Sequence, residues 1–121
     1  MNQVLSEVLS GDREPGVFRS ADPIEEIRAE AELHDWTVRV LSRPVSSKDE
    51  ALAALGEALD FPADFGHNLD ALWDCLRDLD EPLVLVWQGA DGLDRLAFDP
   101  IIDVLQERAD QGGFAVVLTG S

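Results

Sequence analysis

Positive charge is scarce in this sequence. Lys and Arg number 9 against 25 Asp and Glu, a formal net charge of −16 in 121 residues. Phosphate backbones are held by Lys and Arg, so this balance speaks against nucleic acid and against anionic membrane surfaces. It suits a cationic partner drawn in by the field of the whole molecule, and equally a plain acidic soluble protein. Cysteine is nearly absent. The single Cys75 permits no internal disulfide, which fits the reducing cytoplasm. No apolar run approaches the ~20 residues that a membrane-spanning helix needs. The opening MNQVLSEVLSGDREPG lacks an apolar core of signal-peptide length, so no export is expected. Internal repeats and low-complexity linkers are missing as well, and the length suits one domain.

Catalytic signatures are equally scarce. His67 and Cys75 are a conceivable acid–base and nucleophile pair. Cys75, however, lies two helical turns further on beside an apolar stripe, where a buried structural thiol belongs, and His67 reads as a loop residue. Asp70, Asp74 and Asp78 share one helix face, which rarely gathers the roughly six to eight oxygens that Ca²⁺ takes. No catalytic residue, metal site or cofactor is expected.

What is present centres on residues 61–79, FPADFGHNLDALWDCLRDL. Pro62, Asp64, Phe65, Gly66 and His67 read as a loop. Asn68 is a good N-cap, because its side-chain oxygen can accept from backbone N–H groups of the first turn. In the helix that follows, to Leu79, about 100° per residue puts Leu69, Leu72, Leu76 and Leu79 on one inward stripe. Asp70, Asp74 and Asp78 fall on the other side, with Trp73 at the border beside Arg77. Like charges at i, i+4 oppose the helix by a few tenths of a kcal/mol per pair. Only Asp70, in the first turn, is favoured by the helix dipole. Two readings stand side by side: a solvated face with a Trp folded back on the core, or a face shaped to receive a cationic group.

The rest of the chain alternates strands and helices. Val4, Leu5, Val8 and Leu9 make a short apolar pattern, one turn of helix or a loose arm. GVFR at 16–19 reads as a short strand. Asp22 and Pro23 are expected to start a helix as N-cap and first residue, with Ile24, Ile27 and Ala31 inward and an end near His34. WTVRVL at 36–41 is a strand with Trp36, Val38 and Val40 on one face. Ser47 and Glu50 form a capping box for a helix that buries Leu52, Leu55 and Leu59. LVLVW at 83–87 is apolar on both faces, as a central parallel strand is. A polar loop follows at 89–94, with Leu96 and Phe98 anchoring its far end. Asp99 and Pro100 are expected to cap a helix that turns Ile101, Ile102, Leu105 and Ala109 inward and stops at Gly112-Gly113. FAVVL at 114–118 is the last strand. Strands separated by helices imply an α/β fold with right-handed crossovers and a parallel sheet.

The run NLDALWDCL at 68–76, followed by PLVLVW at 82–87, resembles barstar, the intracellular inhibitor of a secreted bacterial ribonuclease. The resemblance covers roughly 36–119. It implies a barstar-like fold, a small parallel sheet of three strands with helices packed on it, to which 16–19 would add a fourth. The expected division is an N-terminal arm at 1–15 and one domain at 16–121, of which 16–35 is an extension and 36–121 the matching region.

The resemblance also implies a function: cytoplasmic inhibition, in a 1:1 complex, of a basic extracellular ribonuclease whose phosphate-binding site receives the acidic helix. It places Asp74 as the central anion among the enzyme's arginines and histidine, Asp70 against a further arginine, and Asn68, Leu69 and Trp73 around them. Glu107 matches the remaining acidic contact if one residue is inserted near Gly112-Gly113. The sequence departs from the pattern at three contact positions. Asp64 stands where barstar sets an aromatic, in a chain with no Tyr. Leu79 replaces a second aromatic, and Arg77 replaces a small polar residue. An immunity protein or antitoxin against a toxin of another kind would use the same face. A small metal-dependent or thiol enzyme is the third class.

Overall fold

The computed structural model describes residues 3–11, 16–20, 22–42, 45, 47–62, 66, 68–89 and 95–119. Among them lie four strands, β1 (Val17–Arg19), β2 (Thr37–Leu41), β3 (Leu83–Trp87) and β4 (Phe114–Leu118). Five helices accompany them: α1 (Gln3–Ser10), α2 (Ile24–Leu33), α3 (Lys48–Ala58), α4 (Leu69–Arg77) and α5 (Arg95–Asp110). The strands form one parallel sheet in the order β1-β4-β3-β2. The short segment at 16–19 therefore is a fourth strand, with Val17 opposite Val116 and Arg19 opposite Leu118.

Chain order and strand order together decide where the helices go. From β2 to β3 to β4 the chain advances one strand at a time in one direction, whereas β1 to β2 crosses the whole sheet the other way. Crossovers of a single hand that run in opposite directions must lie on opposite faces. The core divides accordingly. On one face, Leu83, Leu85, Trp87, Phe114, Val116 and Leu118 pack with the buried residues of α3, α4 and α5. On the other, Val84, Val86 and Val117 meet Ile27 and Ala31 of α2 and Leu9 of α1. Successive residues of β3 alternate between the two clusters, and that is why the strand is apolar throughout: all five positions of β3 and of β4 are buried.

Local expectations are met at several ends. Ser47 Oγ accepts from the Glu50 N–H at 3.1 Å and starts α3. After α5, Gly112 and Gly113 take φ of +87° and +72°, a region open to glycine, and the Gly112 N–H closes on the Ala109 carbonyl. Trp36, Val38 and Val40 do share a face, packed beside α2, although Trp36 precedes the strand.

Four expectations are corrected. Pro23, not Asp22, is the N-cap of α2. Its ψ of 147° is extended, and its carbonyl accepts from Glu26 and Ile27. Asp22 is engaged with Ser20 instead, its carboxylate accepting from Ser20 Oγ at 3.0 Å. Asp99 and Pro100 do not open α5, which begins at Arg95 and carries Pro100 inside. Phe98 explains this. It lies on the same stripe as Ile101 and Leu105, is buried, and meets Trp87 edge-on with ring centroids 6.4 Å apart. Burial of that ring outweighs the helix bond that Pro100 cannot give to residue 96. Of the two readings of the N-terminal pattern the helix is the one found, but two turns long rather than one, with Val8 and Leu9 buried. Finally, α4 ends at Arg77, with Asp78 as its C-cap and Leu79 beyond it. The polar loop at 90–94 lies outside the described residues. Among the described residues no helix is long and apolar enough to cross a membrane.

Candidate functional site: the acidic face of α4

Helix α4 is set by its first residue and its buried stripe. Asn68 is extended, with φ −142° and ψ 168°, and its Oδ1 accepts from the Ala71 N–H at 2.8 Å. Its carbonyl already accepts from Leu72, and its own N–H reaches the Gly66 carbonyl. Three bonds thus fix where the first turn begins. Leu72 and Leu76 are fully enclosed, and Leu69 and Leu79 pack at the margin of the same cluster. With the inward side held by leucines, the helix has no freedom to rotate, and Asp70, Asp74 and Arg77 are exposed on the other side. Trp73 and Cys75 are half-buried at the two borders.

The polar face is not uniformly acidic. An Arg77 Nη2 lies 3.5 Å from Asp74 Oδ1, an i, i+3 ion pair in which both side chains are well exposed. Asp78, at the C-cap, leaves two rather than three acidic positions within the helix proper.

The C-terminal end of α4 is held by a residue that sequence reasoning missed. Arg108 of α5 is 7% exposed. Its Nε donates to the Leu76 carbonyl at 2.7 Å, one Nη to the Leu79 carbonyl at 3.2 Å and the other to the Gly112 carbonyl at 2.9 Å. The guanidinium also stands 5.8 Å from the centre of the Phe114 ring. A helix end leaves carbonyls without intrahelical partners and carries negative partial charge, so a fixed cation suits it on both counts. Burial lowers the pKa of this guanidinium from its ordinary value, and it stays charged. The signal was in the spacing. Ile101, Leu105 and Arg108 follow i, i+4, i+7, which sets a charge inside an apolar stripe.

Of the expected contact residues, Asn68, Leu69, Asp70, Trp73, Asp74 and Arg77 belong to α4 or its cap. Glu107 is exposed on α5, the helix packed against α4, one residue before Arg108. Asp64 lies outside the described residues, as does His67. Among the described residues no group of three or more His, Cys, Asp or Glu is placed to hold a metal ion.

Three comparisons bear on this arrangement. A solved structure, that of Drosophila ORC bound to AT-rich DNA and Cdc6, superposes with a TM-score of 0.52 over 97% of this chain, at 16% identity. The chain spans 42% of that one, and the likeness concerns the fold alone. A Bacillus subtilis (strain 168) protein named "Putative ribonuclease inhibitor YrdF" is 39% identical over 61 residues, which is 47% of this chain and 67% of the relative. The family described as Barstar (barnase inhibitor) matches residues 36–118. That span takes in β2, β3, β4 and the whole of α3, α4 and α5, including both helices of the candidate site, and the chain is thereby a member of the barstar family.

Proposed function

We propose that this protein inhibits a ribonuclease by lodging the exposed face of α4 in the enzyme's active site, in a 1:1 complex formed in the cytoplasm. Asp74 is the central anion, Asp70 the second, and Asn68, Leu69 and Trp73 surround them. Glu107 adds an acidic contact from α5, and Asp64 one from the stretch of chain before α4. A ribonuclease must hold phosphate, so its site concentrates cationic donors. A carboxylate presented by a rigid helix makes charge-assisted hydrogen bonds with those donors in place of the substrate. The target is basic and secreted, which matches the net charge of −16 and favours rapid encounter. Close charge pairs of this kind have large measured coupling energies, and the worked case behind that magnitude is the barnase–barstar complex itself.

The observation that carries this reading is the exposure of Asp70 and Asp74 on a helix pinned at both ends, in a barstar-family domain. The family description names barnase as the enzyme to try first. Titrating the purified protein into barnase should abolish RNA cleavage at equimolar ratio, and a protein with both Asp70 and Asp74 changed to Asn should not. Equal inhibition by the two proteins would remove the acidic face from the mechanism.

A further inference from the structure

We propose that Arg77 is the selectivity residue of the α4 face. It pairs with Asp74 in the free protein and penalises a binding site that presents cations alone, so the partner this face fits carries a carboxylate beside its phosphate-binding cations. The inference rests on the proposed inhibition, since it takes Asp74 as the centre of contact.

Arg77 is stable where it stands. It occupies the last turn of α4, where the helix dipole favours a cation, and its guanidinium lies 3.5 Å from Asp74. Read from the N-terminal end, the exposed face runs Asp70, Asp74, Arg77: anion, anion, cation, in steps of about one helical turn, or ~5 Å. A partner that seats Asp74 must therefore accommodate a guanidinium about one turn away. Swinging Arg77 into water leaves Asp74 free but keeps the guanidinium charge at the rim. Carrying it inward desolvates it. Against a site lined only by Arg, Lys and His, either course sets like charges side by side, and such juxtaposition is what interfaces use to reject wrong partners. Against a site that also holds a carboxylate, the planar guanidinium gains a bidentate partner. A carboxylate is an ordinary component of a phosphodiester-cleaving site, because proton removal from the nucleophile needs a general base.

The test uses two peptide probes and one enzyme. Hexa-arginine presents cations alone, and a peptide of the same length with two arginines replaced by glutamate presents both signs. Binding is followed by NMR shifts of the α4 amides for the unmodified protein, Arg77→Ala and Arg77→Glu. Both substitutions should tighten binding of hexa-arginine, Arg77→Glu by roughly tenfold. Adding Asp74→Ala should cancel that gain. With the glutamate-containing peptide, Arg77→Ala should bring no gain or a loss. An equal gain on both peptides would mean that Arg77 acts only through net charge, and no gain on hexa-arginine would mean that it is no obstacle at all. Either result overturns the proposal. Barnase is the separate control. If the unmodified protein fails to inhibit it, the ribonuclease reading fails for that enzyme, while the peptide result still decides the role of Arg77.

Discussion

Asp74 is the residue on which the proposed function turns, and its part in folding can be separated from its part in binding. In the free protein it faces Asp70 one turn back and Arg77 one turn on, both in water. The repulsion and the attraction are each a few tenths of a kcal/mol and of opposite sign. Asp74→Ala should therefore leave the melting temperature within about a degree or two of the unmodified protein. Inhibition should suffer far more, by several kcal/mol of binding, because the substitution strands buried positive charge on the enzyme. Asp70→Ala should cost less than Asp74→Ala. Melting curves and inhibition constants on the same preparations check this, and a parallel loss of both would show that Asp74 matters for folding rather than for contact.

At the scale of the element, α4 is a helix of nine residues fixed from outside itself. Two substitutions probe its two ends. Asn68→Ala removes the cap and should cost about 1 kcal/mol of stability. Arg108→Met should cost about 2–4 kcal/mol, because it removes the donor that reaches the Leu79 and Gly112 carbonyls and leaves the Leu76 carbonyl only its backbone donor from Leu79. Thermal or urea unfolding measures both. Arg108→Lys should recover only part of the loss, since one ammonium cannot reproduce the fork that spans three carbonyls. A fully recovered stability with Lys would reduce Arg108 to a point charge at a helix end.

At the scale of the whole molecule, the proposed contact helix α4 and the N-terminal helices α1 and α2 lie on opposite faces of the sheet. Leu9→Ala should thus lower stability by about 2–3 kcal/mol through the cavity it leaves, and should leave inhibition at low temperature unchanged. A change in inhibition without a change in stability would give α1 a direct contact with the partner. The charge of −16 acts at the same scale. Raising salt from ~10 mM to ~500 mM shortens the screening length to a few Å. Association with the enzyme should slow by more than tenfold while dissociation changes little. Stopped-flow measurements of both rates decide it.

Some of this was determined by the sequence alone. Strand β3 is apolar at every position, and Trp36, Val38 and Val40 recur at a period of two along and just before β2, so a parallel sheet with helices packed on it was implied by the pattern alone. Asn68, the leucine stripe and the acidic positions opposite it likewise defined α4 and its exposed side, because caps and helical periodicity depend on neighbours within a turn or two. Only the tertiary structure decided the rest. The segment at 16–19 reads as a short strand, but that it joins the sheet, through 17–19, depends on the open edge that β4 offers. Pro100 reads as a helix start until Phe98 is seen against Trp87. The spacing of Arg108 sets a charge in an apolar stripe, but what it holds, the carbonyls of residues 76 and 79 some thirty positions earlier, is decided by the packing of α5 on α4. Each of these outcomes depends on what lies across the core, and a linear pattern carries no record of that distance.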